Sequence, residues 1–173
     1  MKQEKVKFYG LFDAALMPKI WLNLEVWQLN FEPLYQGDYQ PIEEAIPYLI
    51  ELDKSADDSA VKELSTSEDY CSALFIRSSS SLKELVKKLA FFYHVKNAQN
   101  EPCLRRFFDL RLFRQFLSTL PPAYCAYLFD NQTVFSYLEP ESDFYRVIIY
   151  QHNQICWLQK EQPEFLAHFI EGN

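Results

Sequence analysis

The chain has 173 residues, of which 49% are hydrophobic and 24% charged, and its formal net charge is −7. It contains no apolar run of about 18 residues, which excludes a transmembrane helix, and its acidic balance argues against a nucleic-acid-binding protein because phosphate contacts dominate that affinity. A chain of this length is expected to bury about two-thirds of its unfolded surface, so it builds a core without disulfide bonds or metal.

Short apolar runs predict three strands in the first half of the chain. They span residues 6–13, 48–52 and 71–76. The first is mostly apolar and is expected inside a sheet. Residues 20–27 are ambiguous, because Pro18 favours a helix while their aromatic and β-branched side chains favour a strand. Residues 31–47 are predicted as mainly loop, with at most a turn of helix around residues 43–45. The polar residues 54–67 are predicted as a surface helix with a loop.

The clearest predicted element is the helix that begins after Ser81. Ser81 and Glu84 fit a capping box, in which the hydroxyl and the carboxylate each bind an otherwise free backbone N–H. Apolar residues then recur at helical spacing as far as Phe92 or Tyr93. A turn at residues 97–100 is predicted to follow this helix.

Residues 105–120 are predicted to join an extended aromatic segment to an amphipathic helix through a charged turn. Asp109 is well placed as the N-cap of this helix, which a pair of prolines ends. The charged residues of this turn, Arg106, Asp109 and Arg111, could have two roles, and the two are compatible. In the structural role, Asp109 caps the helix and pairs with Arg106 or Arg111. In the functional role, an arginine remains free to bind a carboxylate or a carbonyl group of a partner.

The last third of the chain is predicted to be rich in strands. The predicted elements are a hairpin of residues 124–129 and 133–138, a strand at 145–150 and an amphipathic helix at 163–170. Helices and strands alternate early and strands cluster late. The sequence therefore predicts one α/β or α+β domain over residues 1–173, with a mixed sheet, flanking helices and a short C-terminal helix.

No catalytic, cofactor-binding or metal-binding motif is found. The three glycines do not cluster as a phosphate-binding loop requires, and the three histidines stand far apart. The cysteines lack paired spacing, so all four are expected to be buried structural thiols: Cys71, Cys103, Cys125 and Cys156. These observations predict a protein that is not an enzyme and needs no cofactor, with a hydrolase of unrecognised type as a minor alternative.

The uneven distribution of charge and the many aromatic residues are compatible with a partner-binding surface but do not require one. Residues 32–76 carry eleven acidic and two basic side chains, a net charge of −9, whereas residues 77–114 carry nine basic and three acidic side chains, a net charge of +6. The basic segment is either a solvated face partly neutralised by the acidic one or a positive face for an acidic partner protein. The 15 Phe, 11 Tyr and 3 Trp suit both a core and interface anchors.

Four blocks of sequence follow one another at characteristic spacing. They are residues 8–15, residues 34–35 with 46–52, residues 74–78 with 82–89, and Arg106-Phe107-Phe108-Asp109-Leu110-Arg111-Leu112. In this order they resemble the adaptor (effector chaperone) family of the bacterial type VI secretion system. Two residues depart from the family pattern, Leu110 at a usual proline and Ala73 at a common glycine. Leu110 is expected to be harmless, because a first helical turn accepts most residues.

The resemblance implies a cytoplasmic, non-enzymatic adaptor that binds an effector or toxin protein and helps load it onto the VgrG spike protein. It implies no cofactor, no metal, no membrane and no nucleic acid. With the charged turn, it predicts partner-binding roles for Arg106, Asp109, Arg111 and Arg114. It predicts structural roles for the motif residues Tyr9, Asp13, Pro47, Tyr48, Phe107 and Phe108. The alternative function is a small cytosolic immunity protein that binds and neutralises a toxin.

Overall fold

The computed structural model describes residues 5–53 and 58–161. The strands are Lys7–Asp13 (β1), Phe31–Pro33 (β2), Pro47–Glu51 (β3), Leu74–Ser78 (β4), His94–Lys96 (β5), Pro102–Leu104 (β6), Val134–Leu138 (β7), Phe144–Gln151 (β8) and Gln154–Glu161 (β9). The α-helices are Pro18–Asn23 (α1), Asp58–Thr66 (α2), Leu82–Tyr93 (α3), Leu110–Thr119 (α4) and Pro122–Leu128 (α5), and short 3-10 helices span Gln40–Ala45 and Glu68–Tyr70.

Seven of the described strands form one sheet in the order β2-β3-β1-β4-β7-β8-β9, and β5 pairs with β6 in a separate hairpin. The first strand lies inside the sheet, as predicted, between β3 and β4. The predicted class, a combination of helices and a sheet, is confirmed. The sheet is not mixed, however, because every pairing between described strands is antiparallel. Tight turns between β7, β8 and β9 reverse the chain directly, which only antiparallel neighbours permit.

Alternate side chains of the sheet enter two cores on its opposite faces. In β1, Tyr9 and Leu11 belong to the first core and Phe12 to the second. Residues of α3, α4 and α5 cover the first core, which we call the α3–α5 face. Residues of α1 and α2 cover the second core, which we call the α1–α2 face. Period-two burial thus places helices on both sides of the sheet.

Local end signals explain where two of the helices begin. The Ser81 hydroxyl accepts a hydrogen bond from the backbone N–H of Glu84, and the Glu84 carboxylate accepts one from the backbone N–H of Ser81, which confirms the capping box. Pro18 occupies the first turn of α1 and Ile20 is buried, so the ambiguous segment after Pro18 begins as a helix. No helix in the described ranges is long and apolar enough to cross a membrane.

The predicted first strand of the hairpin at residues 124–129 is wrong, because this segment lies largely in α5. Pro122 starts the helix, and Cys125 and Leu128 are buried one turn apart, while Tyr124 and Tyr127 remain exposed. Packing of this helical face therefore overrides the strand preference of the aromatic residues. The second predicted strand is confirmed as β7.

Other predictions differ from the structure in part. The aromatic segment before α4 is predicted to be extended, but the strand is limited to β6 and the chain turns at Phe107 and Phe108. Residues 31–47, predicted as mainly loop, contain β2. The strand β9 has no counterpart among the predicted strands. The predicted helix at residues 163–170 lies outside the described residues.

Candidate partner-binding site

Arg106 joins the charged turn before α4 to the end of β1. Its Nη2 donates a hydrogen bond to Oδ2 of Asp13, while Oδ1 of Asp13 accepts one from the backbone N–H of Ala15 at 3.1 Å. The Asp13 side chain is only 3% exposed. Burial raises the pKa of Asp13, and the Arg106 charge and the Ala15 N–H oppose that rise. The pair therefore links two sequence blocks that are far apart along the chain.

Asp109 caps α4, as predicted, and its carboxylate pairs with Arg111. Oδ1 of Asp109 accepts from the backbone N–H and from Nε of Arg111, both at 3.0 Å, and Oδ2 accepts from Nη2 at 2.6 Å. The side-chain hydrogen bonds from Arg111 are the main cause that lowers the pKa of Asp109. The Arg111 side chain is nevertheless 77% exposed. Of the two pairings left open by the sequence, Arg111 is therefore the partner of Asp109.

The predicted structural motif residues of the sheet are buried, and their polar atoms are satisfied. The Tyr9 hydroxyl donates to the Ser80 carbonyl at 2.7 Å, and the Tyr48 hydroxyl donates to the Glu43 carbonyl at 2.6 Å. Burial raises the pKa of Tyr48 to about 12 and also raises that of Tyr9. Pro47, at the start of β3, is buried as well. These hydroxyls therefore act as neutral hydrogen-bond donors that fix neighbouring backbone.

Phe107 and Phe108 anchor the charged turn in the first core. The Phe107 ring centroid lies 4.9 Å from that of Phe116, and the Phe108 ring centroid lies 5.9 Å from that of Tyr93. Because both rings are buried, the turn between β6 and α4 is held by aromatic packing as well as by ion pairs.

A groove of about 430 Å³ lies along this turn, α4 and the start of α5, and we call it the basic groove. Its floor includes the buried rings of Phe107 and Phe116, and its walls include Leu112 and Tyr124. Arg105 and Arg106 line it, and no described Asp or Glu does. Its surroundings are therefore apolar and positively charged.

An exposed aromatic patch continues from the basic groove across α3 and α5. The Phe91 ring centroid lies 5.6 Å from that of Tyr124 and 5.7 Å from that of Tyr127. All three side chains are exposed. The sequence does not predict this patch, because the aromatic content of residues 124–129 favours a strand, although Pro122 and the three-residue spacing of the tyrosines are signals of a helical face.

A second groove, of about 330 Å³, lies on the α1–α2 face, and we call it the acidic groove. It is lined by Leu22 and Val26, which are exposed, and by Glu25 and Glu43. No described Lys or Arg lines it. The two grooves thus share an apolar character and differ in the sign of their charge.

Arg114, the remaining predicted partner-binding residue, points away from the basic groove towards the edge strand β9. Its guanidinium carbon lies 5.2 Å from the centroid of the Trp157 ring, within the range of a cation–π contact. The structure thus brings Arg106, Asp109 and Arg111 together at one turn and places Arg114 on another side of α4. The partner-binding roles of all four residues stay predictions.

The described residues contain no group of three or more His, Cys, Asp or Glu side chains that could hold a metal ion. His94 follows the last residue of α3, and its Nε2 accepts a hydrogen bond from the backbone N–H of Gln36 at 2.9 Å. Burial lowers the pKa of His94, so this ring acts as a neutral acceptor.

The prediction of four buried thiols is wrong. Cys125 is buried and burial raises the pKa of its thiol, but Cys156 is only partly buried, and Cys71 and Cys103 are exposed. Cys71 lies in a turn before β4, and Cys103 lies on the exposed strand β6. The apolar residues next to these cysteines in the sequence are therefore a poor guide to whether the cysteines are buried.

Comparison with protein families finds one match, to a family described as a domain of unknown function (DUF4123), over residues 8–126. Comparisons with curated proteins and with solved structures find no match. The matched span contains all four sequence blocks, both partners of the Arg106–Asp13 pair and all the residues that line the two grooves.

Proposed function

The chain belongs to the DUF4123 family, and from that premise we propose that it is a cytoplasmic, non-enzymatic adaptor that binds a type VI secretion effector and helps load it onto the VgrG spike. The observation that carries the proposal is the overlap between the family match and the four sequence blocks that resemble such adaptors. Every block lies within the matched residues 8–126.

The two grooves support an adaptor, because a protein that loads an effector onto a spike has to contact two partners. The basic groove and the acidic groove lie on opposite faces of the sheet. Exposed apolar side chains in each groove provide contact area, and the opposite charges allow each groove to select a different partner. An immunity protein that covers one toxin needs only one such surface.

The work of the adaptor is then association and release, with no bond made or broken in a substrate. Shape and charge complementarity determine which protein binds to each surface, and charge also raises the rate of encounter. The turn that carries Arg106 and Asp109 is held by the buried Asp13 carboxylate, by the Arg111–Asp109 pair and by buried rings. A preorganised surface of this kind loses little conformational entropy when a partner binds.

Affinity purification of the tagged full chain from its own host, with mass spectrometry of the bound proteins, tests the proposal. Recovery of a VgrG protein together with a large effector is expected in cells that express the secretion system. Recovery of neither would contradict it. The competing immunity function predicts instead that the chain, expressed alone, protects a susceptible cell from a toxin.

A further inference from the structure

We propose that the basic groove binds a short amphipathic helix of a partner protein, one that presents large apolar side chains next to a carboxylate. This inference deepens the proposed function and relies on it for the identity of the partner. The chemistry of the groove, in contrast, follows from the side chains that line it.

The apolar part of the proposed ligand follows from the floor and walls of the groove. Phe107 and Phe116 are buried beneath it, while Leu112 is 49% exposed and Tyr124 is 46% exposed along its sides. Tyr124 also contacts Phe91, so the apolar surface extends beyond the groove. Contiguous exposed apolar surface of this kind is typical of a protein-binding site, and isolated exposed apolar residues are not.

The helical form of the ligand follows from the shape of the α4 wall. Leu112, Phe116 and Thr119 lie on one stripe of α4 at helical spacing, and all line the groove. Seven residues of helix span about 10 Å, the length of two turns of a partner helix. An amphipathic helix that occupies an apolar groove anchors itself through side chains at this same spacing.

The carboxylate of the ligand follows from Arg105. No described carboxylate pairs with this side chain, and its guanidinium carbon lies 5.9 Å from the centroid of the Phe116 ring at the rim of the groove. Arg106 is committed to Asp13 but adds positive charge nearby. A planar guanidinium next to an apolar floor is suited to a bidentate pair with a carboxylate. The groove therefore favours an acidic helix over a basic one.

Selection of random 16-residue peptides displayed on phage against the immobilised full chain tests this inference, since a two-turn helix needs roughly seven residues and flanking sequence. The enriched peptides are expected to carry two or more large apolar residues at helical spacing and an Asp or Glu within one turn of them. A synthetic copy of an enriched peptide, labelled with fluorescein, then reports its affinity for each variant by anisotropy.

Variants in the groove and matched variants outside it assign the binding site. Arg105→Glu and Leu112→Asp are each expected to weaken peptide binding about tenfold or more. Lys62→Glu on α2 and Leu22→Asp in the acidic groove make the same changes of charge and polarity at exposed positions of the α1–α2 face, and are expected to leave binding unchanged. Unchanged melting temperatures show that the variants remain folded.

Any of the following results would overturn the inference: no enriched peptide, enrichment of basic peptides, unchanged peptide binding by Leu112→Asp, or an equal loss of peptide binding in Leu22→Asp. A dimer in sedimentation that Leu112→Asp converts to a monomer would assign the groove to a second copy of the chain instead.

The failure of the inference can be distinguished from the failure of the proposed function. If the selected peptides occupy the groove but the host purification yields neither VgrG nor an effector, the proposed function fails and the inference stands. If Leu112→Asp still recovers both proteins, the inference fails and the proposed function stands.

Discussion

The α3–α5 face and the α1–α2 face are built around the same sheet but present different surfaces. Both contain fully buried rings, such as Phe113 in the first core and Phe12 in the second. Outside these rings, the first face carries the basic groove and an exposed aromatic patch, whereas the second carries the acidic groove. The two cores thus contain similarly buried aromatic rings, whereas the grooves on the two faces carry charges of opposite sign.

This difference arises because the basic and acidic segments of the chain contribute helices to opposite faces of the sheet. The basic segment 77–114 includes α3 and the first half of α4, and the acidic segment 32–76 includes α2 and the 3-10 helix that lines the acidic groove. The sheet separates these elements, and no described ion pair joins the two segments. The interpretation of the basic segment as a positive face for a partner stays a prediction.

The largest expected effect comes from a matched pair of core substitutions. Phe113→Ala and Phe12→Ala each remove a fully buried ring, so each is expected to lower the free energy of unfolding by about 4 kcal/mol. Urea unfolding of the two variants measures this loss. If one variant loses less than about 2 kcal/mol of unfolding free energy, the ring that it lacks is not packed in a core. The two cores would then not be equally well packed.

Removal of Arg106 is expected to have the next largest effect. Arg106→Ala leaves the Asp13 carboxylate buried without its cation, which costs about 2 kcal/mol of unfolding free energy. Asp13→Asn removes that charge, so the double variant is expected to regain part of the loss in a double-mutant cycle. Strictly additive losses would mean that the two side chains are not coupled, and that Arg106 is available to a partner.

Asp109→Ala is expected to lower the free energy of unfolding by about 1 kcal/mol, because it removes the N-cap of α4. The folded state lowers the pKa of Asp109, so this contribution is complete above the ordinary carboxyl range and is lost as the pH falls through the lowered pKa. Thermal unfolding at neutral and acidic pH measures both effects. Asp109→Asn is the control, since its side-chain oxygen can still cap the helix but carries no charge. An unchanged melting temperature in Asp109→Ala at neutral pH would contradict the capping role of Asp109.

Arg111→Glu is expected to have the smallest effect on stability. Its pair with Asp109 is exposed on the arginine side, and such exposed pairs contribute little to the free energy of unfolding because solvent screens them. The same variant reverses a charge on the turn of the α3–α5 face, so it is expected to weaken partner binding while the fold survives. Size-exclusion chromatography of the variant with the recovered partner checks this, and an intact complex would remove Arg111 from the interface.

Local patterns in the sequence predict the parts of the fold that depend on near neighbours. The Ser81 capping box, the Asp109 cap and the interior position of β1 each follow from a few adjacent residues, and each is confirmed. The sequence does not predict the contact between Arg106 and Asp13, because these residues lie 93 positions apart and no local pattern indicates it. The sequence also leaves Arg106 and Arg111 as alternative partners of Asp109.

The grooves illustrate why the rest of the site could not be predicted. Tyr124 and Phe91 meet only because α5 packs beside α3, and the preference of aromatic residues for strands concealed the helix that carries Tyr124. The charge of the basic segment was visible in the sequence. The position of α3 and α4 on one face required the order of the strands and the assignment of each helix to a core.

Amide hydrogen exchange of the full chain, alone and in complex with each protein that it recovers from its host, tests whether the α3–α5 face, with its basic groove, binds a partner. Slower exchange in α4, in α5 and in the turn at Arg105 and Arg106 is expected with at least one of these proteins. Slower exchange confined to α1 and the acidic groove with every recovered protein, and none along α4 and α5, would contradict binding at the α3–α5 face.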